Sequence, residues 1–191
     1  MSTQTRVVPR DVAALVAVPV VLVAVHLLPQ SLRVDLMLNY GSPSVLTMYT
    51  THFVHANWGH LAGNVGVYLV AVSLSYALFV YAGSKSQFFT GFAAVLLLAP
   101  LPLSAFDLYM LGSEAGDVYS RGFSGLAAAY VGFLPVAVFV FLGNELSDRL
   151  KPHESMGLFL LSLGVVLLTY SGPMEPATWL AFVTGGLYYV H

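Results

Sequence analysis

The chain has 191 residues, of which 58% are apolar and 8% charged, with a net charge of −2 and no cysteine. Soluble domains run nearer a quarter charged. This composition therefore excludes an ordinary soluble enzyme, a disordered chain and a nucleic-acid binder with a basic stripe, and the missing cysteines exclude disulfides, thiol catalysis and Cys-ligated metals. A mean hydropathy of +0.80 fits a polytopic bundle of membrane helices.

A helix that crosses a bilayer needs about 20 apolar residues. The first such run covers residues 12–28 and follows Arg6 and Arg10. It lacks a small-x-small cleavage site near Gln30, so it reads as an uncleaved anchor. The second run covers residues 58–81. The third covers residues 88–111 and holds Pro100 and Pro102, where a kink is expected because neighbouring helices can satisfy the carbonyls that proline frees. The fourth and fifth cover residues 122–142 and 156–170. A last apolar stretch, residues 177–191, is interrupted by Gly185-Gly186 and then stops. No internal repeat or linker divides the chain, and strand-like alternation is missing. The expectation is an all-α, multi-pass membrane bundle of five complete spans plus the start of a sixth, one domain over residues 1–191.

Basic residues set the orientation. Arg6, Arg10, Lys85, Arg149 and Lys151 fall on one side if the spans alternate, which puts that side and the N-terminus in the cytoplasm of a cell-membrane protein.

Polar groups at membrane depth are costly and mark candidate sites. His60 and Asn64 are four residues apart at the outer start of the second span, so they share one helix face. Two neutral donors on one face suit a developing oxyanion; interhelical hydrogen bonding is the plainer alternative. His52 and His55, just before, read as interfacial. Ser124 sits between glycines in Arg121-Gly122-Phe123-Ser124-Gly125, at the outer start of the fourth span. A hydroxyl there is approachable, and its own N–H is among the unsatisfied donors of the first turn, although Ser with Gly also serves small-residue helix packing. His191 is the last residue. Even-numbered spans begin at the outer face, so His60, Asn64, Ser124 and the start of the sixth span share a depth.

His60-x-x-x-Asn64, then Gly122-Phe123-Ser124-Gly125, with Phe53-x-His55 and Gly41 upstream, resemble the rhomboid family of intramembrane serine proteases over nearly the whole chain. The resemblance implies a six-helix core in which Ser124 is the nucleophile, a His on the sixth span is the general base, and His60, Asn64 and the Ser124 N–H form the oxyanion site. It implies a transmembrane protein as substrate, the bilayer as surroundings, no cofactor, no metal and no nucleic acid. Three features depart from the family. Ser44-Val45 stand near the place of its Trp-Arg pair, Ala128 replaces a Tyr four residues after the nucleophile, and the His-x-x-Gly of the sixth span is not present as such.

Two registers of that span remain open. A helix from Ala177 puts Phe182 in the base position, before Gly185, and makes the protein a pseudoprotease that binds membrane clients. A helix from Gly186 puts His191 roughly 7 to 8 Å down, level with Ser124. The chain would then end at membrane depth with unpaired carbonyls, so it is expected to be C-terminally incomplete. Tyr130 or Tyr189 would orient the imidazole. A transporter is the remaining alternative; Asp107 is the main charged residue within a span, and transporters usually carry repeats.

Overall fold

The computed structural model describes residues 7–111 and 118–145. The expected fifth and sixth spans, with Phe182, Tyr189 and His191, lie outside the described residues. In chain order the elements are α1 (Pro9–His26), α2 (Gln30–Asp35), β1 (Leu38–Asn39), α3 (Val45–Thr50), a 3-10 turn (Thr51–Phe53), α4 (Trp58–Tyr81), α5 (Lys85–Leu98), α6 (Pro100–Leu111), β2 (Tyr119–Ser120) and α7 (Ser124–Glu145). Three helices, α1, α4 and α7, are long and apolar enough to cross a membrane. The bent pair α5 and α6 makes a fourth if it counts as one span. These correspond to the first four expected runs.

The expected kink in the third run is a bend of 40° between α5 and α6. Pro100 has no N–H, so the carbonyl of Leu96 loses its partner in the ladder. Tyr49 fills that place, its hydroxyl donating to the Leu96 carbonyl at 3.3 Å. The same device recurs in α1. Pro19 lies inside that helix and leaves the carbonyl of Leu15 open, and the hydroxyl of Tyr68 donates to it at 2.8 Å. Each proline thus takes a hydrogen bond away, and a tyrosine from elsewhere in the chain restores it.

The contacts divide the described chain into two compact units. One joins residues 7–72 with 89–130, the other residues 73–88 with 131–145. In the first, Leu22, Leu38, Val54, Tyr68, Phe123, Leu126 and Tyr130 are buried. The Tyr68 ring meets Phe123 edge-on at 5.8 Å and Tyr130 at 5.2 Å. The second unit centres on Phe79, Phe88 and Phe133, with ring centroids 5.5 to 6.2 Å apart. Here α4 ends in a Schellman turn. Gly83 takes φ +69°, Ser84 N–H reaches back to Phe79 O at 2.8 Å, and Gly83 N–H to Val80 O at 3.0 Å.

Within the first unit, short elements tie the segment after α1 to the segment before α7. The antiparallel pair β1–β2 sets Leu38 opposite Ser120 and Asn39 opposite Tyr119. Thr50 donates its hydroxyl to Leu36 O at 2.8 Å. α3 begins at Ser44, whose Oγ accepts from Thr47 N at 3.1 Å while Thr47 Oγ1 accepts from Ser44 N at 3.2 Å, a reciprocal cap.

The proline–tyrosine pairing is testable by double substitution. Tyr68→Phe leaves a buried carbonyl open and is expected to destabilise the protein by about 1–3 kcal/mol. In a Pro19→Ala background, α1 regains its own N–H to Leu15, and the same substitution should cost clearly less. Denaturant unfolding of the four proteins in micelles measures both; equal costs in the two backgrounds would reject the pairing.

Candidate active site

The site is built at the start of two helices of the first unit. Asn57 caps α4, its Oδ1 accepting from His60 N–H at 2.9 Å. His60 and Asn64 follow one turn apart. At the other helix, Phe123 O accepts from Ala127 N at 2.8 Å, so α7 opens at Ser124 with the Ser124 side chain exposed. Gly122 joins the two. Its N–H donates to Thr51 O at 3.1 Å, the Thr51 hydroxyl donates to Ser120 O, and its φ is +136°, a region closed to other residues at low cost. A Cβ on Gly122 would lie 2.8 Å from His60 Cε1, 3.2 Å from His60 Nε2 and 3.8 Å from Ser124 Oγ. The imidazole and the hydroxyl therefore approach one point of backbone, and glycine is what leaves room for them.

His55 and His52 do not face the surroundings of the protein. Both are buried, at 0% and 4% exposure, because each is a fixed part of the framework. His55 Nε2 lies 3.4 Å from Phe123 N and 3.1 Å from Asn64 Nδ2. A backbone N–H can only donate, so Nε2 is the bare nitrogen of a neutral ring with its proton on Nδ1. Burial, aided by the nearby His60, holds the His55 imidazole down to about 4. The His60 ring stands edge-on to it at 5.3 Å.

His52 makes the other strut. Its Nε2–H faces Pro100 O at 2.9 Å and Ser104 Oγ at 3.0 Å, and Ser104 donates its own proton to Met48 O at 2.6 Å. Burial lowers the His52 pKa, against the pull of the Pro100 carbonyl, Asp107 and the Gly122 backbone. His52 thus grips the bend between α5 and α6. Beside Ser124 a cavity of about 140 Å³ is lined by His52, Leu103, Asp107, Ser120, Arg121 and Gly125, among others. Asp107 accepts from the Ser120 hydroxyl at 3.3 Å, and Arg121 leans away onto the sulfur of Met37 at 3.6 Å.

The structure thus sets the His60 ring and the Ser124 hydroxyl beside Gly122 and links Asn64 through His55 to Phe123 N, while His191 lies outside the described residues. The Tyr130 hydroxyl donates to Phe92 O at 3.1 Å, and the base it was expected to orient lies outside the described residues. Sequence reasoning missed the buried parts played by His52 and His55. Comparison with family models, with curated proteins and with solved structures gave no significant match.

Two measurements check this geometry. Gly122→Ala would drive a methyl into the His60 ring and strain the backbone, and is expected to destabilise the protein by about 1–3 kcal/mol; an unchanged unfolding midpoint would contradict it. The second is pH. His55 folds neutral with a depressed pKa of about 4, against about 6.5 unfolded. Its contribution is complete above pH 6.5 and is lost as pH falls towards 4, on the order of 3 kcal/mol in total. His55→Gln, which cannot titrate, should therefore lose less stability than the parent between pH 6.5 and 4 in acid unfolding.

Proposed function

We propose that the chain is an intramembrane serine endopeptidase of the rhomboid type, cutting transmembrane segments of other membrane proteins. The observation that carries this reading is the convergence on Gly122 of the His60 ring and the Ser124 hydroxyl, with the Asn64 amide held to the adjoining Phe123 backbone through His55. Helix packing alone calls for no exposed hydroxyl next to an imidazole.

In this reading Ser124 Oγ attacks the scissile carbonyl carbon, and its proton passes to a base on the sixth span. His191 is the candidate base. The carbonyl oxygen becomes an oxyanion, met by His60, by the Asn64 N–H that His55 does not hold, and by the Ser124 N–H in the first turn of α7. The intermediate collapses, the base returns its proton to the leaving amine, and water then releases the acyl group by the same steps. A dyad has no carboxylate to orient its imidazole, so orientation falls to packing around the sixth span. The cavity beside Ser124 gives room for a substrate side chain next to the cut. The N-terminus lies in the cytoplasm, and cleavage occurs towards the outer face.

The Phe182-x-x-Gly185 spacing favours a second reading, a pseudoprotease of the same fold that holds membrane clients without cutting them. Reconstitution in liposomes with a transmembrane substrate separates the two. Ser124→Ala is expected to abolish cleavage and labelling by a fluorophosphonate. Asn64→Ala should slow cleavage by about 10²- to 10³-fold while the protein stays folded. Cleavage that survives Ser124→Ala would end the nucleophile assignment. Substrate capture with neither cleavage nor labelling in the parent would favour the second reading.

A further inference from the structure

We propose that His55 is a positioning residue of this site, holding the Asn64 carboxamide with its nitrogen, not its oxygen, towards the nucleophile loop. The inference rests on the protease reading above. A carboxamide has two nearly isosteric orientations, related by a half-turn about its last torsion. In one, Nδ2 faces His55 Nε2, which also takes the Phe123 N–H, and keeps a second proton for an oxyanion. In the other, Oδ1 stands there and offers none. Helix α4 by itself does not choose between them.

His55 chooses. The Phe123 N–H points at Nε2 from 3.4 Å, and a main-chain N–H cannot reverse its role. Nε2 is therefore an acceptor, and the atom of Asn64 that faces it at 3.1 Å must be a donor. An oxygen in that place would meet the lone pair of Nε2 and be repelled. The ring that does this is fully buried. It thus acts through Asn64 and not on the substrate. The same nitrogen also anchors Phe123, so the loop that carries Ser124 and the helix that carries Asn64 share one fixed point.

Substitution by leucine keeps bulk and removes the acceptor. Substitution by glutamine supplies a carbonyl oxygen that can accept from both donors, but it cannot titrate or transfer a proton. In liposomes with a transmembrane substrate, His55→Leu is expected to lower kcat by about 10- to 100-fold with little change in KM. His55→Gln should restore most of it. In an Asn64→Ala background, His55→Leu should cost clearly less than in the parent, because the amide it orients is gone and only the Phe123 anchor is left to lose. A full additional loss in that background would overturn the proposal, as would a glutamine variant that folds yet is as slow as the leucine one. If the leucine protein does not fold, the glutamine variant decides by itself: near-parental kcat supports the role and a tenfold loss in a folded protein refutes it. Fluorophosphonate labelling of the parent keeps the two readings apart. A parent that neither labels nor cleaves ends the protease reading and this proposal with it, whereas a parent that cleaves as fast as its leucine variant ends only this one.

Discussion

Inside a bilayer there is no water to take up an open backbone group, and each one left unpaired costs several kcal/mol. That constraint organises the described chain. Pro19 and Pro100 each remove a donor from a helix, and each loss is met by a tyrosine hydroxyl, Tyr68 on Leu15 O and Tyr49 on Leu96 O. The bend at Pro100 then turns its own carbonyl towards His52. His52 thereby connects the bend to the 3-10 turn, and Thr51 of that turn receives Gly122. A chain of obligatory hydrogen bonds thus runs from a proline in the third run to the glycine beside Ser124.

The candidate site follows the same rule at closer range. The His60 ring and the Ser124 hydroxyl would both meet a side chain at Gly122. With glycine there, the His60 ring can lie against the backbone and the Ser124 hydroxyl can stand free. Burial keeps His55 and His52 uncharged near neutrality, so these two rings bring hydrogen-bonding capacity to the surroundings of Ser124 without bringing fixed charge.

Much of this was legible from residue types and their spacing. Apolar runs of bilayer length located α1, α4 and α7 within a few residues, because helix length in a membrane is set by thickness more than by local propensity. Pro100 announced the bend. His60, Asn64 and Ser124 stood out because polar groups at that depth are expensive. The roles of His52 and His55 were not legible. Both precede the apolar run, where a histidine can as easily sit in the headgroup region. Their burial depends on contacts 48 to 68 residues away, which no local pattern encodes. The partner of Tyr130 was hidden for the same reason: a tyrosine in an apolar run announces a hydroxyl that needs an acceptor, and says nothing of which carbonyl it finds.

The pairing of Pro19 with Tyr68 has a consequence for biogenesis. The two partners are 53 residues apart, and α4 is made long after α1 has left the ribosome. Until then the first helix carries a gap in its ladder that lipid cannot fill. A nascent chain in that state is better held by the insertion machinery, or by water at its edge, than released sideways into the hydrocarbon. In a bilayer, the ladder of the first helix would be complete only once Tyr68 has been made and has reached Leu15.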